Sequence, residues 1–362
     1  MNKMQSPPAA KTWIDGVEFD YFCGTGYFAL HGHPDLIAAS CAATQQYGIG
    51  AGTSRTGLTD HPVFLDLEAK AAEFFETEAA HYYVSGYLGN TLLLKGLAPD
   101  YDVIFVDSEA HYSVRDGVAV MGKPSVSFAH GDPDALQHAL EKTLKPGQRP
   151  LLITDGIFPT SGKLAPLPDY HQILSNYGDA LMCVDDAHAM GVLGEKGQGT
   201  LEYWDIQGEG RYSSGTLSKA FGGHGGIIAG SQQLIDRVIL KGASPAPLGA
   251  AAASAKALDL VMQQPQMRKQ LWDNALYAKS AFRSLGFTDI PDTPVPIICL
   301  SGNGIDLEAV QQKLFSKGIA VLYVPGGSYT SAPAQGAIRV AIFSTHTRAQ
   351  IDRMLAEVSG LI

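Results

Sequence analysis

The sequence predicts an α/β protein: a large three-layer α/β/α domain on a mostly parallel sheet, joined to a smaller α+β domain. Three observations carry that prediction. Short apolar runs alternate with segments of helical period between about residues 79 and 230. The chain, at 362 residues, exceeds the usual size of one domain. After about residue 260 the pattern changes to long helices and a few short strands.

The N-terminal segment, residues 1–45, is rich in glycine and aromatics and is expected to pack with the small domain. "HPVFLDLEAKAAEFFET" follows, with Phe64, Leu67, Ala71 and Phe74 on one helical face turned toward the large domain, residues 46–260. There "HYYVSG" precedes "YLGNTLLLKGL", "DVIFVD" precedes "HYSVRDGVAVMG", "PLLITDG" precedes "PLPDYHQILSNYG", and "ALMCVDD" follows. Each run is apolar throughout, as strands covered on both faces require. "GASPAPLGAAAASA" reads as a helix of small residues. In the small domain, residues 261–362, "MRKQLWDNALYAKSAFRSLG" and "TRAQIDRMLAEVSGLI" are helices, and "VPIICL" and "AIRVAIF" are strands.

Composition excludes several classes. Hydrophobic residues make up 45% and charged ones 17%, with 40 glycines, which describes a compact chain with many tight turns rather than a disordered one. A formal charge of -10 with scattered lysines and arginines offers no basic patch for nucleic acid. Cys23, Cys41, Cys183 and Cys299 form no C-x-x-C pair, so neither a disulfide scaffold nor a zinc knuckle is expected and no metal is assigned. No stretch reaches the length of a membrane span, and the first residues lack the apolar core of a signal peptide, so the expected location is the cytoplasm.

Ligands of open α/β sheets sit beyond the carboxyl ends of the strands, and the residues there are unusually polar. Ser85-Gly86-Tyr87 opens a helix whose free N–H groups suit a phosphate, though a serine cap alone is commonplace. Asp155 ends one run. Asp185, Asp186 and His188 follow another, where helix capping is the plainer reading. His111 in "DSEAHYS" is equally readable as a core histidine. In "SSGTLSKAFGGHGG", Lys219 stands among hydroxyls and glycines with no charged neighbour, and Thr216 lies three residues before it. A desolvated lysine, a strand-end carboxylate, a phosphate site and an imidazole together are what pyridoxal 5'-phosphate needs.

"VDDAHAMGVLGEKGQGT" with "GTLSKAFGGHGG" resembles the α-oxoamine synthase branch of the fold type I pyridoxal phosphate-dependent transferases. The likeness continues in "YVSGYLGN", "DSEAHYSVRDG", "TDGIFPTSGKLAPLPDY" and "AIRVAIFSTHTRAQIDRML". The resemblance implies Lys219 as the Schiff-base lysine, Asp185 as the carboxylate on the pyridine nitrogen, and His188 as the partner of the ring oxygen. It also implies His111 as the stacking residue, Ser85, Gly86, Tyr87 and Thr216 around the phosphate, and Arg339 on the substrate carboxylate. It implies a homodimer that condenses a small amino acid with an acyl-CoA. An aminotransferase on the same cofactor, a non-catalytic cofactor-binding regulator and a structural protein are the alternatives.

The chain departs from the branch in places. "GYFALHGHP" stands where these synthases usually read "NYLGL" before His-Pro, so Gly26 replaces an asparagine. Pro159 replaces a serine, Asp155 a glutamate, and Ser244 is the one hydroxyl near the region where a neighbouring subunit usually reaches the phosphate. Phe28, Tyr329 and the "PGGSYTSAP" loop are candidates for shaping the substrate pocket, ordinary packing being the other reading.

Overall fold

The computed structural model describes residues 2–57, 60–242, 246–302 and 304–361. It opens with a hairpin of β1 (Lys11–Ile14) and β2 (Val17–Tyr21). The two-residue turn between them is Asp15-Gly16, both at positive φ (48° and 81°), which matches the right-handed strand twist. Helix α1 (Pro34–Tyr47) follows, then α2 (Pro62–Phe75), which buries the expected stripe of Phe64, Leu67, Ala71 and Phe74.

From there the chain builds a seven-stranded sheet. In chain order come β3 (Ala79–Tyr83), α3 (Gly89–Gly96), β4 (Val103–Asp107), α4 (Tyr112–Ala119), β5 (Ser125–Phe128) and α5 (Pro133–Thr143). Then follow β6 (Pro150–Asp155), α6 (Leu167–Leu174), β7 (Leu181–Asp185), α7 (Thr200–Tyr203), β8 (Arg211–Thr216) and β9 (Gly226–Gly230). The spatial order is β3-β9-β8-β7-β6-β4-β5, with β9 antiparallel to both neighbours and the other pairings parallel.

Burial on both faces explains the unbroken apolar runs. Leu151 and Ile153 of β6 and Cys183 of β7 enter one core, with Leu93 and Ile104. Leu152, Met182 and Val184 enter the other, with Leu167 and Tyr170. Helix starts are capped as their residue types dictate: Asp132 accepts from the Ala135 N–H (3.0 Å) ahead of Pro133.

Helices α8 (Gln232–Ile239), α9 (Leu248–Gln263) and α10 (Gln266–Ser284) follow the sheet. The small-residue helix expected near residue 250 is α9; a methyl on Gly249 would stand 2.5 Å from Thr44 Oγ1, so α1 and α9 meet at near-backbone distance. The remaining elements are β10 (Ile297–Leu300), α11 (Leu307–Ser316), β11 (Ile319–Ala320), β12 (Leu322–Val324), β13 (Ala337–Ala341) and α12 (Arg348–Ser359). Strands β10, β13 and β12 form an antiparallel sheet, while β11 pairs in parallel with β2 and draws the N-terminal hairpin against this lobe. Thr347 and Gln350 form a reciprocal capping box at the start of α12.

Candidate active site

The carboxyl ends of four parallel strands converge on one cavity of about 550 Å³, within the range of small-molecule sites. β4 leads to His111, β6 ends in Asp155, β7 in Asp185 and β8 in Thr216, with Lys219 just beyond. Arg339 enters from β13, and Gly24 and Thr25 from the segment after β2. The residues expected to hold cofactor and substrate carboxylate, His188, Ser85, Gly86 and Tyr87 included, all line this cavity.

Lys219 sits in the tight connection between β8 and β9, which Gly222 makes possible. At φ 65° it places its α-carbon where a methyl would stand 2.6 Å from the His31 backbone nitrogen. Burial pushes the Lys219 amine down from 10.5 to about 8, against the opposing pull of Asp185 and Asp155. The amine makes no hydrogen bond among the described residues, so it is held near the carboxylates without being consumed by them.

Asp185 is fixed at both oxygens. Its Oδ2 accepts from Asn90 Nδ2 (2.6 Å) and its Oδ1 from the Ala187 N–H (3.0 Å), while Ser113 Oγ stands 3.2 Å from Oδ2 and 2.7 Å from His111 Nδ1. Asn90 in turn accepts from Ser214 Oγ (2.9 Å). This buried network was missed in the sequence, although Asn90 falls within the quoted "YVSGYLGN" as a polar residue in an apolar helix. Asp155, the register neighbour of Asp185, accepts from the His111 N–H (2.8 Å). Burial first, and then the Asp185 charge, hold its carboxyl well above the usual carboxylate range.

His188 Nδ1 lies 2.8 Å from the hydroxyl of Tyr27, a fully buried residue also missed. The Arg339 charge faces the same phenol, so the Tyr27 hydroxyl donates to Nδ1, leaving Nε2–H of His188 for the cavity. Burial, and then the Lys219 charge, keep His188 well below its ordinary value and neutral. Arg339 donates Nε–H to Pro159 O (2.7 Å) and Nη1–H to Gly24 O (3.0 Å). The proline that replaces the serine thus contributes its main-chain carbonyl.

His111 caps α4, accepting at Nδ1 from the Ser113 N–H (3.2 Å). At the expected phosphate end, Gly86 is obligatory: a methyl there would stand 2.6 Å from Thr216 Cβ. The Tyr87 N–H is shared with Ser85 Oγ (3.3 Å), and Thr216 donates its hydroxyl to Gly225 O (2.9 Å). Ser218, not singled out from sequence, brings a further hydroxyl 2.8 Å from Thr216 Oγ1.

Two other expectations resolve differently. Phe28 is buried in the main core and takes no part in the cavity, whereas Tyr329 lines it. The asparagine absent at Gly26 is explained by His31: a methyl on Gly26 would stand 2.8 Å from His31 Nδ1, and His31 Nε2–H donates to Ser218 O (3.0 Å), beside the lysine. Ser244 lies outside the described residues.

An unspent amine, a carboxylate held by a donor at each oxygen, a neutral imidazole and a glycine-lined polar end fit pyridoxal 5'-phosphate. A family model of class I and II aminotransferases matches residues 25–358, and the chain belongs to that family. Within it the chain falls in the α-oxoamine synthase branch and is a pyridoxal phosphate-dependent transferase. It is 33% identical to the 8-amino-7-oxononanoate synthase of Thermoanaerobacter pseudethanolicus, over 97% of this chain and 90% of that protein. It is 34% identical to the synthase of Symbiobacterium thermophilum, over 98% and 91%. Among solved structures, Sphingomonas wittichii serine palmitoyltransferase matches with a TM-score of 0.88 at 25% identity, covering 99% of this chain and 90% of that one.

Proposed function

We propose that this enzyme condenses a small amino acid with an acyl-CoA, releasing carbon dioxide and free coenzyme A and leaving an α-oxoamine. The observation that carries the reading is the convergence of Lys219, Asp185 and Arg339 on one cavity. Bound pyridoxal 5'-phosphate supplies a sink for the electron pair left at the amino acid Cα. Arg339 grips the substrate carboxylate and so sets which bond at Cα is aligned to break. Lys219, with its amine already depressed, is the base for the Cα proton. With the cofactor bound, Asp185 would hold the proton on the pyridine nitrogen, His188 Nε2–H would serve the ring oxygen, and His111 would cover the ring face. Gly86, Tyr87 and Thr216, joined by Ser85 and Ser218, form the phosphate end.

The chain is further proposed to work as a cytoplasmic homodimer, with domains divided at residues 45/46 and 260/261. No helix among the described residues is long and apolar enough to cross a membrane. The test offers glycine, alanine and serine one at a time with acyl-CoA donors to the cofactor-loaded enzyme. Stoichiometric thiol release dependent on one amino acid is expected. Keto-acid-dependent amino transfer without thiol release would make it an aminotransferase, and absence of any turnover a regulator.

A further inference from the structure

The loop Pro325–Gly336 lines the cavity through Pro325, Ser328 and Tyr329 and is pinned at consecutive residues to the segments that follow β4 and β6. Thr160 Oγ1 donates to Thr330 O (2.8 Å), and Glu109 Oε2 accepts from the Ser331 N–H (2.9 Å). Ser331 is held at φ 55°, a left-handed conformation that non-glycine residues rarely adopt. The residue before these two, Tyr329, places its hydroxyl 2.8 Å from His111 Nε2 and its ring against those of both His111 and Tyr112 (centroids 5.8 and 5.6 Å).

The direction of that bond follows from the other ring nitrogen. Nδ1 of His111 lies 2.7 Å from Ser113 Oγ and also receives the Ser113 N–H, which can only donate; with the hydroxyl proton given to this nearer partner rather than to Asp185 (3.2 Å), Nδ1 carries no proton in the neutral ring. The ring proton is therefore on Nε2 and is given to the Tyr329 oxygen, and the phenol proton is left over. Three neighbouring hydroxyls are committed elsewhere: Tyr87 donates to Asp116, Thr216 to Gly225 O (2.9 Å) and Ser328 to Pro325 O (2.7 Å). Burial keeps the Tyr329 phenol above its ordinary value and so protonated.

We propose that the Tyr329 hydroxyl, oriented by His111, is the hydrogen-bond donor to the carbonyl oxygen of the incoming acyl thioester. The inference rests on the condensation proposed above. In that step Cα, having given its proton to Lys219, bonds to the thioester carbonyl carbon, whose oxygen gains negative charge. As the carbonyl re-forms, the C–S bond breaks and coenzyme A leaves as a thiolate that takes up a proton. Tyr329 keeps its own proton throughout and acts only on the charge that develops.

The experiment compares wild type with Tyr329→Phe, which keeps the ring. Condensation is followed by thiol release, and the amino-acid half of the reaction by exchange of the Cα hydrogen with deuterated solvent in the absence of acyl-CoA. Calorimetry compares the affinity for acyl-CoA with that for its thioether analogue, which lacks the carbonyl. Condensation kcat should fall by about 100-fold, with Cα exchange changed less than about threefold. Wild type should prefer the thioester roughly tenfold, and the variant should lose that preference. Condensation within threefold of wild type overturns the proposal. So does a parallel loss of exchange and condensation, which would mark Tyr329 as a support for His111 alone. A wild type that exchanges the Cα hydrogen yet condenses none of the acyl-CoA donors overturns the proposed function, and this inference with it.

Discussion

The amine of Lys219 should titrate as no surface lysine does. Burial lowers it from 10.5 to about 8 while Asp185 and Asp155 pull the other way. At pH 8 half of such a group is free amine, against roughly 0.3% of an ordinary lysine, a difference of roughly 150-fold in reactive species. The cofactor-free protein is mixed with pyridoxal 5'-phosphate from pH 6 to 10, reduced with borohydride at timed intervals, and mapped by peptide mass. Labelling at Lys219 should rise tenfold per pH unit on the acid side and level off with a midpoint near 8. Replacing Asp185 with Asn removes the largest force raising the value, so the midpoint should move lower still. A midpoint at or above 9.5, or label on other lysines with Lys219 untouched, refutes the argument that the bare setting of this residue exists to free its amine.

Further outcomes follow from the same geometry. Gly26→Asn sets a side chain against His31 Nδ1 and should cost about 1–3 kcal/mol in urea unfolding, most of it recovered in Gly26→Asn/His31→Ala; an unchanged single variant contradicts the packing reading. Asn90→Ala removes a 2.6 Å bond to Asp185 and orphans the Ser214 hydroxyl. A loss of about 2–4 kcal/mol is expected, and a loss below about 1 kcal/mol would count against it. Asp186 is buried beside Thr200, and burial raises its carboxyl from 3.8 to about 7. Its contribution to stability is complete below pH 3.8 and is lost as pH rises through 7. Wild type should therefore lose stability relative to Asp186→Asn, a mimic of the protonated acid, between about pH 4 and 7; parallel curves across that range would rule this out.

The sequence disclosed what depends on local chain order. Strands buried on both faces announce themselves as apolar runs, and residues just past their ends must gather at one sheet edge, so Lys219, Asp185, His188 and His111 could be placed before any coordinates. Arg339 needed the family likeness, because an arginine inside "AIRVA" looks like any strand residue. Tyr27, Asn90 and Ser214 stayed hidden for a physical reason. Each acts through a partner distant in the chain, 161 residues away for Tyr27 and His188, and such pairing leaves no periodic trace. Phe28 misled for the converse reason: an aromatic beside a functional segment is as easily core as pocket, and only burial separates the two.

The departures from the branch pattern gain meaning from which atoms hold what. Arg339 is oriented by the main-chain carbonyls of Pro159 and Gly24, so its grip on a carboxylate is insensitive to the side chain at position 159. Gly26 gives up an amide, and His31 fills the volume while tying the N-terminal segment to the carbonyl beside Lys219. The amino-acid side of the cavity is thus secured largely through backbone and packing, which tolerate substitution. The opposite wall is built from side chains on the loop carrying Ser328 and Tyr329, whose conformation depends on Glu109 and Thr160 across the mouth. Changes of sequence in that loop alter the surface an acyl chain meets without disturbing the lysine or its carboxylate, so discrimination among thioesters should reside there.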